Sequence, residues 1–104
     1  MAYKVEILPG ALQDIEDLFR WLSTDSPGTA TKWFTGLQET FDKLEYMPAR
    51  FPLAPESEIV GAEVRHCIYR RNYRVLFMIS GQVVRIHHVR HSARQWMTEE
   101  EFES

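Results

Sequence analysis

Apolar and polar residues alternate from Tyr3 to Leu8, with Val5 and Ile7 set among Lys4 and Glu6. This two-residue period predicts a short first strand, closed by Pro9-Gly10. From Ala11 the period lengthens. Leu12, Ile15, Leu18, Phe19 and Leu22 recur at three- and four-residue spacing, and Gln13, Asp14, Glu16 and Asp17 fill the gaps. An amphipathic helix is expected there, with its acids in the first turns, where the macrodipole favours them. The run Ser23-Thr24-Asp25-Ser26-Pro27-Gly28 breaks it. Ser26 followed by Pro27 suits the N-cap and first turn of a second helix, whose buried stripe is expected at Ala30, Trp33, Phe34, Leu37, Phe41 and Leu44. A short connection makes the two helices antiparallel neighbours.

Residues 45–63 carry Pro48, Pro52 and Pro55 and no sustained period. They read as an irregular connection packed by Phe51 and Leu53, long enough to suggest a functional edge. Three strand-like runs follow, Val64 to Tyr69, Tyr73 to Ser80 and Val83 to His91, with Gly81-Gln82 as a tight turn between the last two. Thr98 with Glu101 three residues on resembles a capping box, so the acidic tail from residue 98 to 104 is expected either as a short helix or frayed. The β-α-α-β-β-β order defines a small α+β class: one domain over residues 1–104, with an antiparallel-rich sheet and two helices on one face.

The pleat then sorts the side chains. Tyr73, Val75, Phe77 and Ile79 are expected under the helices, joined by Val84 and Ile86 if Gly81-Gln82 is a two-residue loop. Arg74, Leu76 and Met78 point the other way. With Val64, His66 and Ile68 facing the core, Arg65, Cys67 and Tyr69 fall beside Arg74. Arg65, Arg74, Arg85, His87 and His91 then converge on one open sheet surface, with Arg94 at its rim. A one-residue slip in register reverses the assignment.

Charge makes that surface stand out. The chain has a formal net charge of -3, yet from Val64 to Thr98 it has no carboxylate, while seven of its 12 Lys and Arg residues and all four histidines lie there. Such segregation sets up a positive potential that attracts phosphate or an acidic partner. Hydrophobic residues at 44% and charged residues at 26% suit a globular domain, and no apolar run approaches the roughly 20 residues of a membrane helix. The N-terminus lacks the pattern of a secretory leader, so a cytoplasmic protein without membrane attachment is expected.

Candidate chemistry is limited. Arginines on a shared face offer forked donors for phosphate or carboxylate; a solvated face paired to helix acids is the plainer alternative. His87 and His91 lie about 13 Å apart along a strand, with His88 pointing away from both, so no shared metal is expected. His91 is either a proton donor or acceptor or a structural hydrogen-bonding group at a strand end. His66 and His88 are expected inward. Trp21 and Trp33 are core candidates, and Trp96 is the one tryptophan expected beside the basic rim. Cys67 has no disulfide partner and reads as a small buried hydrophobe. No nucleophile elbow, phosphate-binding glycine loop or zinc-ligand spacing appears, and no cofactor is implied.

Four features together resemble the RelE/ParE superfamily of bacterial toxins from type II toxin-antitoxin modules: the β-α-α start, "MPARFPLAPE", "VRHCIYRRNYRVLF" and "VVRIHHVRHSARQW". The similarity covers essentially the whole chain. RelE-like members cut messenger RNA in the ribosome with basic and aromatic side chains on the open sheet face, and by matching blocks Arg65 and Arg74 occupy two of those positions, with His91 as the proton-transfer candidate. Cys67 and Ser92 stand where further basic residues are expected, which removes donors that metal-free phosphoryl transfer needs. The "HSARQW" ending is closer to the "H-G-A-R-D" ending of ParE-like toxins, which bind DNA gyrase, block replication and cut nothing. The resemblance therefore implies a ParE-like growth inhibitor of the plasmid-stabilisation kind, with a ribosome-dependent mRNA interferase and a degenerate inactive toxin as alternatives. Arg65, Tyr69, Arg74, Arg85, His87, His91, Arg94 and Trp96 are the contact candidates. The implied partners are a neighbouring antitoxin, in a hetero-oligomeric complex, and gyrase, or the ribosome with mRNA in the alternative.

Overall fold

Proline at the first helical position has its ring preset for the helix and no N–H to leave unpaired. Two helices start this way, one at Pro9 and one at Pro27. The computed structural model describes residues 2–103. Its elements are β1 (Lys4–Ile7), α1 (Pro9–Asp25), α2 (Pro27–Lys43), α3 (Glu56–Val60), β2 (Arg65–Tyr69), β3 (Tyr73–Ser80), β4 (Val83–His91) and α4 (Glu99–Glu103), with one 3-10 turn at Pro48–Arg50.

Helix α1 runs past the expected break to Asp25, with the hydroxyls of Ser23 and Thr24 donating back to the carbonyls of Phe19 and Trp21, at 2.8 and 2.6 Å. Ser26 alone separates the helices. Its N–H closes α1 on the Leu22 carbonyl at 3.1 Å, and its Oγ accepts the Thr29 N–H that opens α2, at 3.4 Å. The connection expected to be irregular contains α3, and the acidic tail forms α4. The Thr98–Glu101 capping box is present in both directions: Thr98 N–H donates to Glu101 at 3.0 Å, and Glu101 N–H to Thr98 at 3.2 Å.

The four strands lie in the order β1-β4-β3-β2, with β1 parallel to β4 and the other pairs antiparallel. Gly81, at φ 59°, completes the two-residue turn between Ser80 and Val83. Helices α1 and α2 cover one face, burying Ala11, Ile15, Trp33, Leu37 and Phe41 against Val75, Phe77, Val84, Ile86 and Val89. Leu12, Phe34 and Trp21, all expected inside, are 53, 37 and 60% exposed, because the apolar stripe that meets the sheet is narrower than the apolar composition of the helices.

Helices are not confined to one face. Ala54, Val64, Leu76, Met97 and Phe102 form a second cluster, flanked by Val60 of α3 and Met78. Leu76 and Met78 point away from α1 and α2, so this cluster closes much of the surface expected to be open.

One close approach locks the sheet to α2. The Tyr69 hydroxyl donates to the Trp33 carbonyl at 2.7 Å, and a Cβ at Gly36 would overlap that hydroxyl. Gly36→Ala is expected to lower stability by about 1–3 kcal/mol in urea unfolding. Gly28→Ala, whose new Cβ meets only Ser26 Oγ at 3.9 Å, should be neutral or stabilising by up to about 1 kcal/mol. Equal stabilities for the two variants would mean that Tyr69 is not held against α2.

Candidate functional site

The register of β4 decides which basic side chains meet. Leu76 pairs with His88, but Phe77 pairs with Ile86, so His87 is an extra residue in β4. Such a bulge reverses the alternation beyond it. Val84 and Ile86 face the helices as expected, but so do Val89 and His91, while His88 and Arg90 share the opposite face with Arg74. Strand β2 is offset in the same sense. Arg65, Cys67 and Tyr69 pair with Phe77, Val75 and Tyr73 on the helix side, and His66 and Ile68 lie across from Leu76 and Arg74 on the other. Of the five residues expected to converge on one face, Arg74, Arg85 and His87, which stacks on Phe102, lie on this second face, whereas Arg65 and His91 lie on the helix face.

Arg74 is enclosed. It forms a two-pronged bond with Glu56 at 2.9 and 2.6 Å, and its Nε donates to His66 Nδ1 at 3.2 Å. Glu56 is fully buried and also accepts the Met97 N–H at 3.1 Å. Burial pushes the Glu56 carboxyl up, but its bonds to Arg74 and Met97 outweigh that and hold it below its ordinary value. His66 is pushed down by burial and by the Arg74 charge, which keeps Nδ1 free to accept.

Neighbouring cations are also occupied. Arg90 donates to the Gln95 carbonyl at 3.1 Å and to Glu101 at 3.5 Å. Arg65 donates to the carbonyls of Ala49 and Phe51 at 3.2 and 2.7 Å and to Glu63 at 3.3 Å, so it holds the proline-bearing connection to the sheet edge. His88 bridges Asp14 at 2.7 Å and the Phe102 carbonyl at 3.0 Å, joining α1, β4 and α4. Burial lowers the His88 pKa, but the Asp14 bond and charge outweigh it and raise the net value.

The remaining candidates divide in two. His91 lies 5.2 Å from the Tyr73 ring and accepts the Ala93 N–H at 3.0 Å, while His87 stacks on Phe102 at 4.6 Å. Burial pushes the Cys67 thiol up, away from the thiolate form that reacts. Solvent-facing cations remain at Arg85, which reaches Glu6 at 3.2 Å, and at one end of the sheet. There Arg70 and Arg71 lie in the β2–β3 turn, whose Asn72 carbonyl accepts the Ser92 N–H at 2.6 Å, and Arg94 and Trp96 follow in the loop after β4, with Trp96 63% exposed. Glu56 was not foreseen as a site residue. Glu56 and Glu58 follow Pro55 with no period to show which one turns inward, and the partner of Glu56 lies 18 residues away.

The sheet topology, its two-helix cover and the basic hairpin define a toxin of the RelE/ParE superfamily. The family model described as the ParE toxin of the type II toxin-antitoxin system, parDE, matches residues 5–96, and the chain belongs to that family. No curated protein matches it significantly. Among solved structures it is similar to a chain of the chromosomal ParDE system of Pseudomonas aeruginosa, with TM-score 0.69 and 17% identity over 86% of this chain and 96% of that one. It is also similar to a chain of the RelBE2 toxin-antitoxin complex of Mycobacterium tuberculosis, with TM-score 0.55 and 25% identity over 90% of this chain and 95% of that one.

Removing one member of a buried ion pair strands the other, whereas removing both relieves the desolvation. Glu56→Leu and Arg74→Leu are each expected to cost about 3–5 kcal/mol in denaturant unfolding, and the double variant less than the sum of the two. Additive losses would show that the pair is not coupled. For His88, the raised pKa means stabilisation fully present below the unfolded value of about 6.5 and lost as pH rises through the folded value. The stability lost in Asp14→Asn should therefore be larger near pH 6 than at pH 8. A loss independent of pH would sink the charged pairing.

Proposed function

We propose that this chain is a ParE-like toxin that arrests growth by binding DNA gyrase, and that an antitoxin neutralises it. The observation carrying this reading is the occupation of Arg74 by Glu56 and of Arg65 by backbone carbonyls. These two arginines are the ones that match nuclease positions, and neither guanidinium is free for the charge that develops in phosphoryl transfer. Membership of the ParE family supports the same reading. In this scheme Arg65, Tyr69, Arg74, His87 and His91 hold the scaffold, and Arg85, Arg94 and Trp96 contact the target.

Both structural neighbours come from toxin-antitoxin systems, which supports an antitoxin partner in a hetero-oligomeric complex. The half-exposed Phe19 and Phe34, edge to face at 6.1 Å, with the exposed Leu12, offer apolar anchors along the two helices for such a partner. Similarity to the RelBE2 complex keeps an mRNA interferase as the second reading.

Expression of the chain alone should arrest growth with filamentation and a DNA-damage response, with transcripts intact, and the purified protein should inhibit gyrase supercoiling. Unimpaired supercoiling at a large molar excess of the toxin would sink the gyrase assignment. Codon-positioned transcript cuts that require translation would establish the interferase, and harmless expression would establish an inactive toxin.

A further inference from the structure

The side chain of His88 is 5% exposed, and both of its ring nitrogens are engaged. Nδ1 meets Asp14 Oδ2 of α1 at 2.7 Å, and Nε2 meets the Phe102 carbonyl of α4 at 3.0 Å. Both partners are acceptors. A backbone carbonyl has no proton to give, and the same Asp14 oxygen already receives the Val89 N–H at 3.0 Å. A neutral imidazole has one N–H, so only the imidazolium makes the two bonds together. On losing a proton the ring keeps the N–H that faces the carboxylate, because that bond is the shorter and is assisted by charge. Nε2 then turns a lone pair on the Phe102 carbonyl, and the bond to α4 is lost.

Helix α4 has five residues, far fewer than a helix needs to persist undocked. Phe102 is its one buried residue, stacked on His87 at 4.6 Å and clustered with Val60 and Met78, and Glu101 reaches Arg90 at 3.5 Å. The segment before α4 is fixed separately, by the Met97 N–H on buried Glu56. Charged and titratable groups surround His88 from each element packed on it. Asp14 faces it from α1, and His87 and Arg90 flank it on β4. Arg74 on β3 is matched by Glu56 of α3, while Glu101 and Glu103 belong to α4. Burial and the Arg90 charge push the His88 pKa down, but Asp14 and the Phe102 carbonyl outweigh them and raise it. His66 and His87 are pushed down, by burial first and then by neighbouring cations.

We propose that His88 is a proton-operated latch for α4: its imidazolium holds the helix on the second face of the sheet, and loss of the Nε2 proton to solvent releases the helix while the rest of the domain stays folded. The direction follows from the raised pKa. The proton-dependent part of docking is fully present below the unfolded value of about 6.5 and is lost as pH rises through the folded value. Between those values the ratio of docked to free α4 falls by up to about tenfold per pH unit. Release bares the seat of Phe102 between Val60, Met78 and His87 and frees Arg90 from Glu101. The second face is thus closed in acid and open in alkali, a form of switch for which a histidine is suited. This latch does not rest on the gyrase reading, because docking of α4 is a property of the chain alone.

The experiment is NMR of the intact, nitrogen-15-labelled protein titrated between about pH 5.5 and 9, a window in which carboxylates have generally lost their protons. At the acid end both His88 ring nitrogens should show the shifts of protonated nitrogens, and the Glu101, Phe102 and Glu103 amides should be ordered. With rising pH those amides should move toward random-coil shifts and lose their heteronuclear NOE, with the same midpoint as the loss of the Nε2 proton. Amides of α1, α2 and β3 should keep their dispersion throughout. Asp14→Asn should lower the shared midpoint by about 1–3 pH units, and His88→Gln should remove the response of α4 to pH. Site-specific midpoints in the wild-type chain decide the matter even where a variant fails to fold. An α4 that does not respond to pH, a midpoint that differs from that of His88, a His88 ring still neutral at the acid end, or a response that survives in His88→Gln would each overturn the latch. Growth arrest and gyrase inhibition are scored separately, so failure of the latch leaves the gyrase reading intact.

Discussion

Burial of the Arg74–Glu56 pair constrains the second face of the sheet. Neither charge is tolerable alone in a site this dry, so the two must be enclosed together. Glu56 belongs to α3, Arg74 to β3, and the Met97 N–H that completes the carboxylate lies just before α4. One carboxylate thus joins the middle connection, the sheet and the C-terminal segment. The apolar contacts of Val64, Leu76, Met97 and Phe102 surround this junction and keep water from it, which strengthens each of its hydrogen bonds.

The bulge at His87 is the second constraint. By adding one residue to β4 it lets Val84 and Ile86 remain under the helices while turning His88 and Arg90 toward the second face. There His88 ties α1 to α4, and Arg90 meets the Gln95 carbonyl and Glu101. Much of the positive charge of the hairpin is therefore internal, spent on holding the C-terminal segment and the proline-bearing connection in place. Its excess over those needs appears only at Arg85 and at the end of the sheet.

This division bears on how a toxin of this fold acts. Enclosed guanidinium groups cannot follow the charge of a reacting phosphate without breaking the scaffold around them, whereas exposed ones at a sheet end are suited to recognition. In this ParE-family chain the sheet serves as a frame that encloses most of the hairpin's charge.

Periodicity was enough to specify the succession of strands along the chain and the two long helices, because burial on one side imposes a local period of 2 or 3.6 residues. Local chemistry also identified the Ser26-Pro27 junction, the Gly81-Gln82 turn and the Thr98–Glu101 box. The motif blocks made the superfamily legible. Facing was not. The spacing of Val84, Ile86 and Val89 breaks alternation at His87, and that is the one signal of the bulge in the chain; it changes the partners of every later side chain. Nor was Glu56 legible, since an ion pair across 18 residues leaves no period. The sequence by itself determined the elements and their class. Only the tertiary structure decided which arginines are buried and which remain free, because that depends on register and on distant carboxylates whose pairing has no local signature.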